Sequence, residues 1–332
     1  MTIVDPLTIL PTMTDDLARL EERLRDAVTA NDDLLSEIAS HLILAGGKRV
    51  RPGFAIAAGG IGQARALAAP EEVVMGGVAV ELVHIGSLIH DDVMDEAQLR
   101  RTAPSVNARW GNLKAILAGD FLLARASEIA AALGTEVAGL LATTIGQLVE
   151  GQMLELRDTF NVGRTVANYE RSISGKTASL LATACRIGAI TGGIPRDDIE
   201  ALTEFGHAYG MAFQIVDDIL DVIATDEQLG KPAGNDLMEG VYNLPVLRAM
   251  AGPAGPAIKE VLGREITLTE RDRVLQMVRD SGAVNEALDV ARGWAGNAAG
   301  VLTSLPASPA TDALVAAADH LILRADEPVG HI

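Results

Sequence analysis

The chain has 332 residues, 48% of them hydrophobic and only 3% aromatic, so it can bury a large core built from Ala, Leu, Val and Ile rather than from stacked rings. Its 27 Lys and Arg stand against 45 Asp and Glu, a net charge of -18. This excludes a general electrostatic footprint for nucleic acid or anionic lipid and leaves anion binding to local basic clusters.

Residues 1–14 lack a basic segment followed by an apolar one, so no secretory signal is expected and the cytoplasm is the expected location. Thr14, followed by Asp15 and Asp16, reads as an N-cap. Beyond it Leu17, Leu20, Leu24 and Ala27 recur at three and four, the spacing of an amphipathic helix. The same spacing predicts helices near 33–45, 71–95, 105–118, 120–133, 136–158, 167–173, 177–190, 197–223, 243–251, 255–264, 268–280, 282–303 and 309–324. Gly, Pro and Asp punctuate the chain at Gly46–Pro52, Gly192–Asp198 and Thr225–Gly240, the last a long loop of the kind that carries function. No strictly alternating β-branched run and no Asn-Gly or Asp-Gly hairpin signal is present, so the predicted class is all-α. No linker between independent cores is visible, and one domain is expected. The charge-free stretch Gly293–Thr311 is broken by Pro306 and Pro309, and Val137–Val149 falls short of the ~20 residues that span a bilayer, so no transmembrane helix is expected. Cys185, the single cysteine, excludes an intrachain disulfide and reads as a small buried hydrophobe.

Two Asp-Asp-x-x-Asp runs stand inside apolar helices: Asp91, Asp92 and Asp95, then Asp217, Asp218 and Asp221. At 100° per residue the first and last carboxylates of each run stack on one helix face. Like charges so placed repel, and carboxylates flanked by Ser87-Leu88-Ile89 or Phe213-Gln214-Ile215-Val216 need a compensating cation. An oxygen-only ligand set suits Mg2+, which commonly bridges to a substrate phosphate. Cations lie where a diphosphate needs them. Lys48, Arg49 and Arg51 sit on a Gly-started, Pro-ended turn, and Arg100-Arg101 follow the first acidic run. Lys176, in Ser174-Gly175-Lys176-Thr177, is expected to open a helix whose free N–H groups favour phosphate. A rival pattern is Glu81-x-x-His84 with Glu204-x-x-His207, the doubled motif of di-iron carboxylate bundles; it leaves both acidic runs and all three basic clusters unexplained.

Gly46–Pro52 (GGKRVRP), Glu81–Asp95, Arg100-Arg101, Ala118-Gly119-Asp120, Gly151-Gln152, Gly175-Lys176-Thr177, Phe213-Gln214 with its aspartates, and Gly230–Leu237 together resemble the all-trans isoprenyl diphosphate synthases, in order and spacing. The resemblance implies an isoprenoid-synthase helical bundle around a deep cavity, a single domain over 1–332, with 1–34 as an N-terminal helical region and 35–325 as the catalytic core. It implies a head-to-tail condensation of isopentenyl diphosphate with an allylic prenyl diphosphate, releasing pyrophosphate. Three Mg2+ ions would be held by Asp91, Asp92, Asp95, Asp217 and Asp218, with Asp221 in the second run. Arg100, Lys176, Thr177, Gln214 and Lys231 would hold the allylic diphosphate, and Lys48, Arg51, His84 and Arg101 that of isopentenyl diphosphate. A homodimer is the family's usual state.

Departures from the family pattern are Thr102, where Gly is usual, and Val241 and Asn243, where Lys and Thr are usual. Small residues four and five before the first acidic run, Gly86 and Ser87, would leave the cavity open, with Val83 and Val80 as moderate stops below. The expectation is a product longer than C20. Alternatives are a short-chain farnesyl or geranylgeranyl diphosphate synthase and a non-catalytic subunit of a heteromeric synthase. A terpene cyclase or a head-to-head synthase would have no use for GGKRVRP.

Overall fold

The computed structural model describes residues 6–100, 103–224 and 233–329, with side chains through residue 323. Helix follows helix, as the three-and-four apolar spacing requires. The first ten are α1 (Met13–Ala27), α2 (Asp33–Leu44), α3 (Val50–Gly59), α4 (Glu71–Met94), α5 (Val106–Trp110), α6 (Asn112–Leu133), α7 (Thr135–Arg157), α8 (Val166–Ile173), α9 (Ser179–Thr191) and α10 (Arg196–Ile223). After them come α11 (Asn235–Met238), α12 (Leu244–Ala251), α13 (Gly255–Val261), α14 (Leu268–Asp280), α15 (Ala283–Leu302) and α16 (Pro309–Val329). The class is all-α. Among the described residues the strands are β1 (Leu99–Arg100) and β2 (Ala103–Pro104), an antiparallel pair with Arg100 opposite Ala103. Local chemistry sets many helix starts: Asp32 caps α2 by accepting from Leu35 N at 2.8 Å, and Thr267 with Glu270 forms a capping box on α14.

The chain divides into two compact units. The first comprises Met1–Ile145, Leu180–Thr203 and Leu302–Leu314, and the second Gly146–Ser179, Glu204–Val301 and Val315–Ile332. In the first, α4 is the core helix, apolar around most of its girth, with Val73, Val78, Leu82, Ile85 and Ile89 fully buried against α1, α3 and α6. Cys185 is buried there too, and burial pushes its thiol pKa up. In the second, Tyr169, Phe205, Tyr242 and Val274 are buried, and α12 packs on α8 and α14.

Several sequence expectations shift. The stretch from Gly46 is a turn only as far as Arg49. There α3 begins, with Pro52 in its first turn, where a missing N–H costs nothing. α1 begins at Met13 rather than after Thr14. The break expected at Gly119 falls at Gly111, whose φ of +86° suits only glycine. Gly119 lies inside α6, and a Cβ there would meet His90 Nε2 at 2.2 Å, so the close approach of that side chain rather than a helix break accounts for the glycine. α4 is long and apolar enough to cross a membrane by length and composition, contrary to expectation; 72% of its apolar window is buried inside the protein, which accounts for its composition. Residues 225–232 of the expected loop lie outside the described residues, and α11 occupies part of the remainder.

Candidate active site

The first acidic run ends α4. Asp91 and Asp92 are helical and Asp95 is the C-cap. Their environments differ: Asp95 is exposed, Asp91 half-buried, and Asp92 fully buried. Beside it lies Arg100, expected to hold the allylic diphosphate and placed by the β1–β2 pair, whose Nε donates to Asp92 Oδ1 at 2.7 Å. Burial nevertheless holds the Asp92 carboxyl above its ordinary pKa, because one guanidinium only partly offsets lost solvation. Asp92 Oδ2 is buried and has no hydrogen-bond partner among the described residues. Such an oxygen suits a hard cation. No three His, Cys, Asp or Glu side chains among the described residues converge to hold an ion by themselves. A metal that fills its shell with water and substrate oxygens needs no such cage.

The remaining expected residues of this unit separate by burial. Lys48 is exposed, Arg51 is half-buried in the first turn of α3, and His84 is half-buried on α4, its carbonyl accepting from Ser87 Oγ at 2.8 Å. Arg101 and Thr102 lie outside the described residues. Arg49, which stands between Lys48 and Arg51 in sequence, is instead structural. Its side chain is 3% exposed, its Nη1 donates to Glu81 Oε1 at 2.8 Å, and its Nε and Nη2 engage Glu21. Glu81 is thereby committed, Glu204 is exposed, and His207 pairs with Ser174 Oγ at 2.9 Å, so the di-iron reading has no ligand set. Gly86 corrects a sequence expectation. It faces α6, where a Cβ would sit 3.2 Å from the Gly119 carbonyl oxygen, so its small size serves helix packing and Ser87 alone offers half-exposed space. Val83 and Val80 are fully buried.

The second acidic run lies on α10. Asp217 is half-buried, and Asp218 and Asp221 are buried. Asp218 sits in a built network: Tyr169 Oη donates to its Oδ2 at 2.5 Å and Gln214 Nε2 to its Oδ1 at 2.8 Å. Thr177 Oγ1 in turn donates to Gln214 Oε1 at 2.7 Å, so the expected residues Thr177, Gln214 and Asp218 form one chain. Burial, aided by the nearby Asp236 carboxylate, raises the Asp218 pKa well above the ordinary range despite those donors. The Tyr169 phenol is likewise pushed up by burial and by Asp218. Lys176 Nζ donates to Glu155 Oε1 at 2.6 Å. Lys231 lies outside the described residues.

Lys176 does not open a helix. Ser174–Ala178 forms a π turn within a continuous helical run, closed by Ser179 N–H on the Ser174 carbonyl, so its N–H groups are not the free donors expected. The turn lies against α7 in close backbone-to-backbone contact: a Cβ on Gly151 would meet Lys176 N at 2.5 Å and Ser172 O at 2.8 Å, and one on Gly175 would meet Gln147 O at 2.7 Å. Asn243, one of the departures, caps α12 and also donates from Nδ2 toward the Asp218 carbonyl at 3.4 Å and Asp236 Oδ2 at 3.3 Å. Val241 is half-buried, its N–H donating to the Asp236 carbonyl at 2.8 Å. The sequence reading missed Tyr169, Glu155 and Asp236. Tyr169 is one of three tyrosines and falls on the apolar side of a helix leading to Lys176, a signal that was available.

The polyprenyl synthetase family profile matches residues 32–279. A heptaprenyl diphosphate synthase component 2 from Geobacillus stearothermophilus is 40% identical over 299 residues, covering 90% of this chain and 92% of the relative. A nonaprenyl diphosphate synthase from Mycobacterium tuberculosis is 39% identical over 311 residues, covering 93% and 92%. Among solved structures, a polyprenyl synthase from Caulobacter crescentus complexed with calcium and isoprenyl diphosphate aligns with a TM-score of 0.88 at 34% identity, covering 95% of this chain and 97% of that one.

Proposed function

This chain belongs to the polyprenyl synthetase family, and on that premise we propose that it joins isopentenyl diphosphate head-to-tail to an allylic prenyl diphosphate, giving a product longer than C20. The observation that carries the reading is the pair of acidic runs, each with buried carboxylates, each accompanied by cations or neutral donors suited to phosphate oxygens. Relatives named for heptaprenyl and nonaprenyl products favour the long chain over the farnesyl or geranylgeranyl alternative.

Oxygen ligands from Asp91, Asp92, Asp95, Asp217, Asp218 and Asp221 would hold Mg2+, three ions by family resemblance, which supplies Lewis-acid neutralisation of the departing pyrophosphate. Arg100, Lys176, Thr177, Gln214 and Lys231 bind the allylic diphosphate in this reading. Lys176 exchanges its bond to Glu155 for one to phosphate. Charge-assisted donors fixed before ionisation stabilise the leaving group without reorganising in the transition state. Lys48, Arg51, His84 and Arg101 bind the second diphosphate and orient the attacking double bond. The chain of Thr177, Gln214 and Asp218 holds its members in one rotameric arrangement. Apolar helix faces keep water from the allylic cation. No side chain is needed as base, since released pyrophosphate can take the proton.

The chain is proposed to act as an oligomer. Leu113 (80% exposed), Ile116 and Leu117 form an exposed apolar stripe on α6, and Val149, Met153 and Leu156 one on α7, features of a subunit contact. A second copy is one occupant. The component 2 name of the Geobacillus relative favours a different subunit as the other.

The test is a product assay with purified chain, Mg2+, labelled isopentenyl diphosphate, and geranyl, farnesyl or geranylgeranyl diphosphate in turn. A ladder ending above C20, abolished by EDTA, is expected. A C15 or C20 end would overturn the length, and no elongation by the chain alone, restored by a second component, would overturn the homodimer.

A further inference from the structure

Arg49 occupies an unusual place for a charged residue. It stands between Lys48 and Arg51, yet it turns inward, with φ +48° and ψ +38°, a left-handed conformation that side chains other than glycine rarely adopt. Its guanidinium then reaches three separate helices. It meets both carboxylate oxygens of Glu21 on α1, Glu81 Oε1 on α4 at 2.8 Å, and the Ile43 carbonyl at the end of α2 at 3.0 Å. A guanidinium has five N–H donors, and four of them are spent on these bonds, so Arg49 has little left for a diphosphate. Glu81 lies one helical turn before His84. One buried ion-pair cluster therefore ties the segment carrying Lys48 and Arg51 to the helix carrying His84. Glu21 contributes from α1, which precedes the segment matched by the family profile.

We propose that Arg49, clamped by Glu21 and Glu81, is a positioning residue that presets Lys48, Arg51 and His84 for the diphosphate of the isopentenyl substrate, which makes α1 part of that site. The inference rests on the function proposed above. The left-handed turn at Arg49 sets the direction in which the chain enters α3, and with it the placement of Arg51 in the first turn. Loosening the clamp lets the basic segment move relative to His84, and the loss falls on one substrate only, because the expected allylic diphosphate contacts lie elsewhere in the chain.

Two variants test this. Glu21→Gln keeps the shape of a partly exposed partner and removes one charge; Arg49→Lys keeps the charge and loses the forked geometry. Binding of isopentenyl diphosphate is measured by calorimetry, and the KM for each substrate and kcat by steady-state elongation, with melting temperature recorded for all proteins. The expected result is a rise of about fivefold to twentyfold in the Kd and KM for isopentenyl diphosphate, with the KM for farnesyl diphosphate within about twofold of wild type. Equal rises for both substrates, or an unchanged isopentenyl diphosphate affinity in Glu21→Gln, would overturn the positioning role while leaving the synthase intact. A wild-type chain that binds no isopentenyl diphosphate would overturn the synthase reading and this inference together. If Arg49→Lys fails to fold, Glu21→Gln alone decides.

Discussion

Gly151→Ala puts the π turn to the test. Gly151 on α7 approaches the Ser174–Ala178 turn backbone to backbone, and its carbonyl accepts from Ser172 Oγ at 3.0 Å. A Cβ there would lie 2.5 Å from Lys176 N, 2.8 Å from Ser172 O and 2.9 Å from Gly175 C. All three are backbone atoms, so no rotamer change relieves the clash. The π turn must retreat by about 0.5 to 0.9 Å to restore ordinary contact, at a cost of about 1–3 kcal/mol of stability. That retreat carries Lys176 and Thr177, and through the Thr177–Gln214 bond it loosens the network on Asp218. A displacement of this size in groups that must meet developing charge is expected to lower kcat/KM for the allylic substrate about tenfold to a hundredfold. The assay is single-turnover elongation with saturating isopentenyl diphosphate, beside urea unfolding. Gly146→Ala, five residues earlier on the same helix, is the control: nothing lies within 4 Å of its Cβ. It is expected to stabilise the protein by about 0.5–1 kcal/mol and leave activity intact. A folded Gly151→Ala protein with activity within about threefold of wild type would refute the claim that the glycine contact sets the position of Lys176.

Asp218→Asn is expected to abolish elongation and yet raise thermal stability in metal-free buffer. Because burial raises the Asp218 pKa, the folded state binds its proton more tightly than the unfolded chain. Stability from this group is present below the unfolded pKa of about 3.9 and is lost as pH rises through the folded pKa. The melting-temperature gain over wild type should accordingly be larger at pH 8 than at pH 4, and a gain independent of pH would contradict the burial argument. Ser87→Phe should shorten the product, whereas an unchanged ladder would remove Ser87 from the length-determining surface. Asn243→Ala should cost about 1 kcal/mol by removing the α12 cap, and Asn243→Thr, which can still cap, should recover most of it in urea unfolding. Equal losses in both variants would assign the effect to the Asp236 contact instead.

Most helices of this chain were legible because their apolar residues recur at three-and-four spacing, which no strand could bury; α3, buried on every side from Pro52 to Gly59 and entered from a basic turn, and the four-residue α11 have no such stripe and were not. The acidic runs and their flanking cations were legible because hard-cation and phosphate chemistry needs those residue types at those spacings. Burial patterns were not. The spacing of Lys48, Arg49 and Arg51 gives three equivalent cations, and only the positions of Glu21 and Glu81 on distant helices draw Arg49 inward and leave Lys48 exposed. Gly86 and Ser87 are small neighbours in sequence, but Gly86 is buried with the Gly119 carbonyl 3.2 Å from where a Cβ would lie, whereas Ser87 is half-buried.

The sequence by itself determined the all-α class, the two carboxylate runs and the cations beside them, since periodicity and residue chemistry are local properties. Tertiary structure decided which carboxylates are desolvated and which arginine is a strut. It also decided that Lys176 rides a π turn pressed by Gly151 rather than a helix start. Each of those depends on what residues far along the chain bring within a few ångströms, and burial, ion pairing and close backbone approach arise only there.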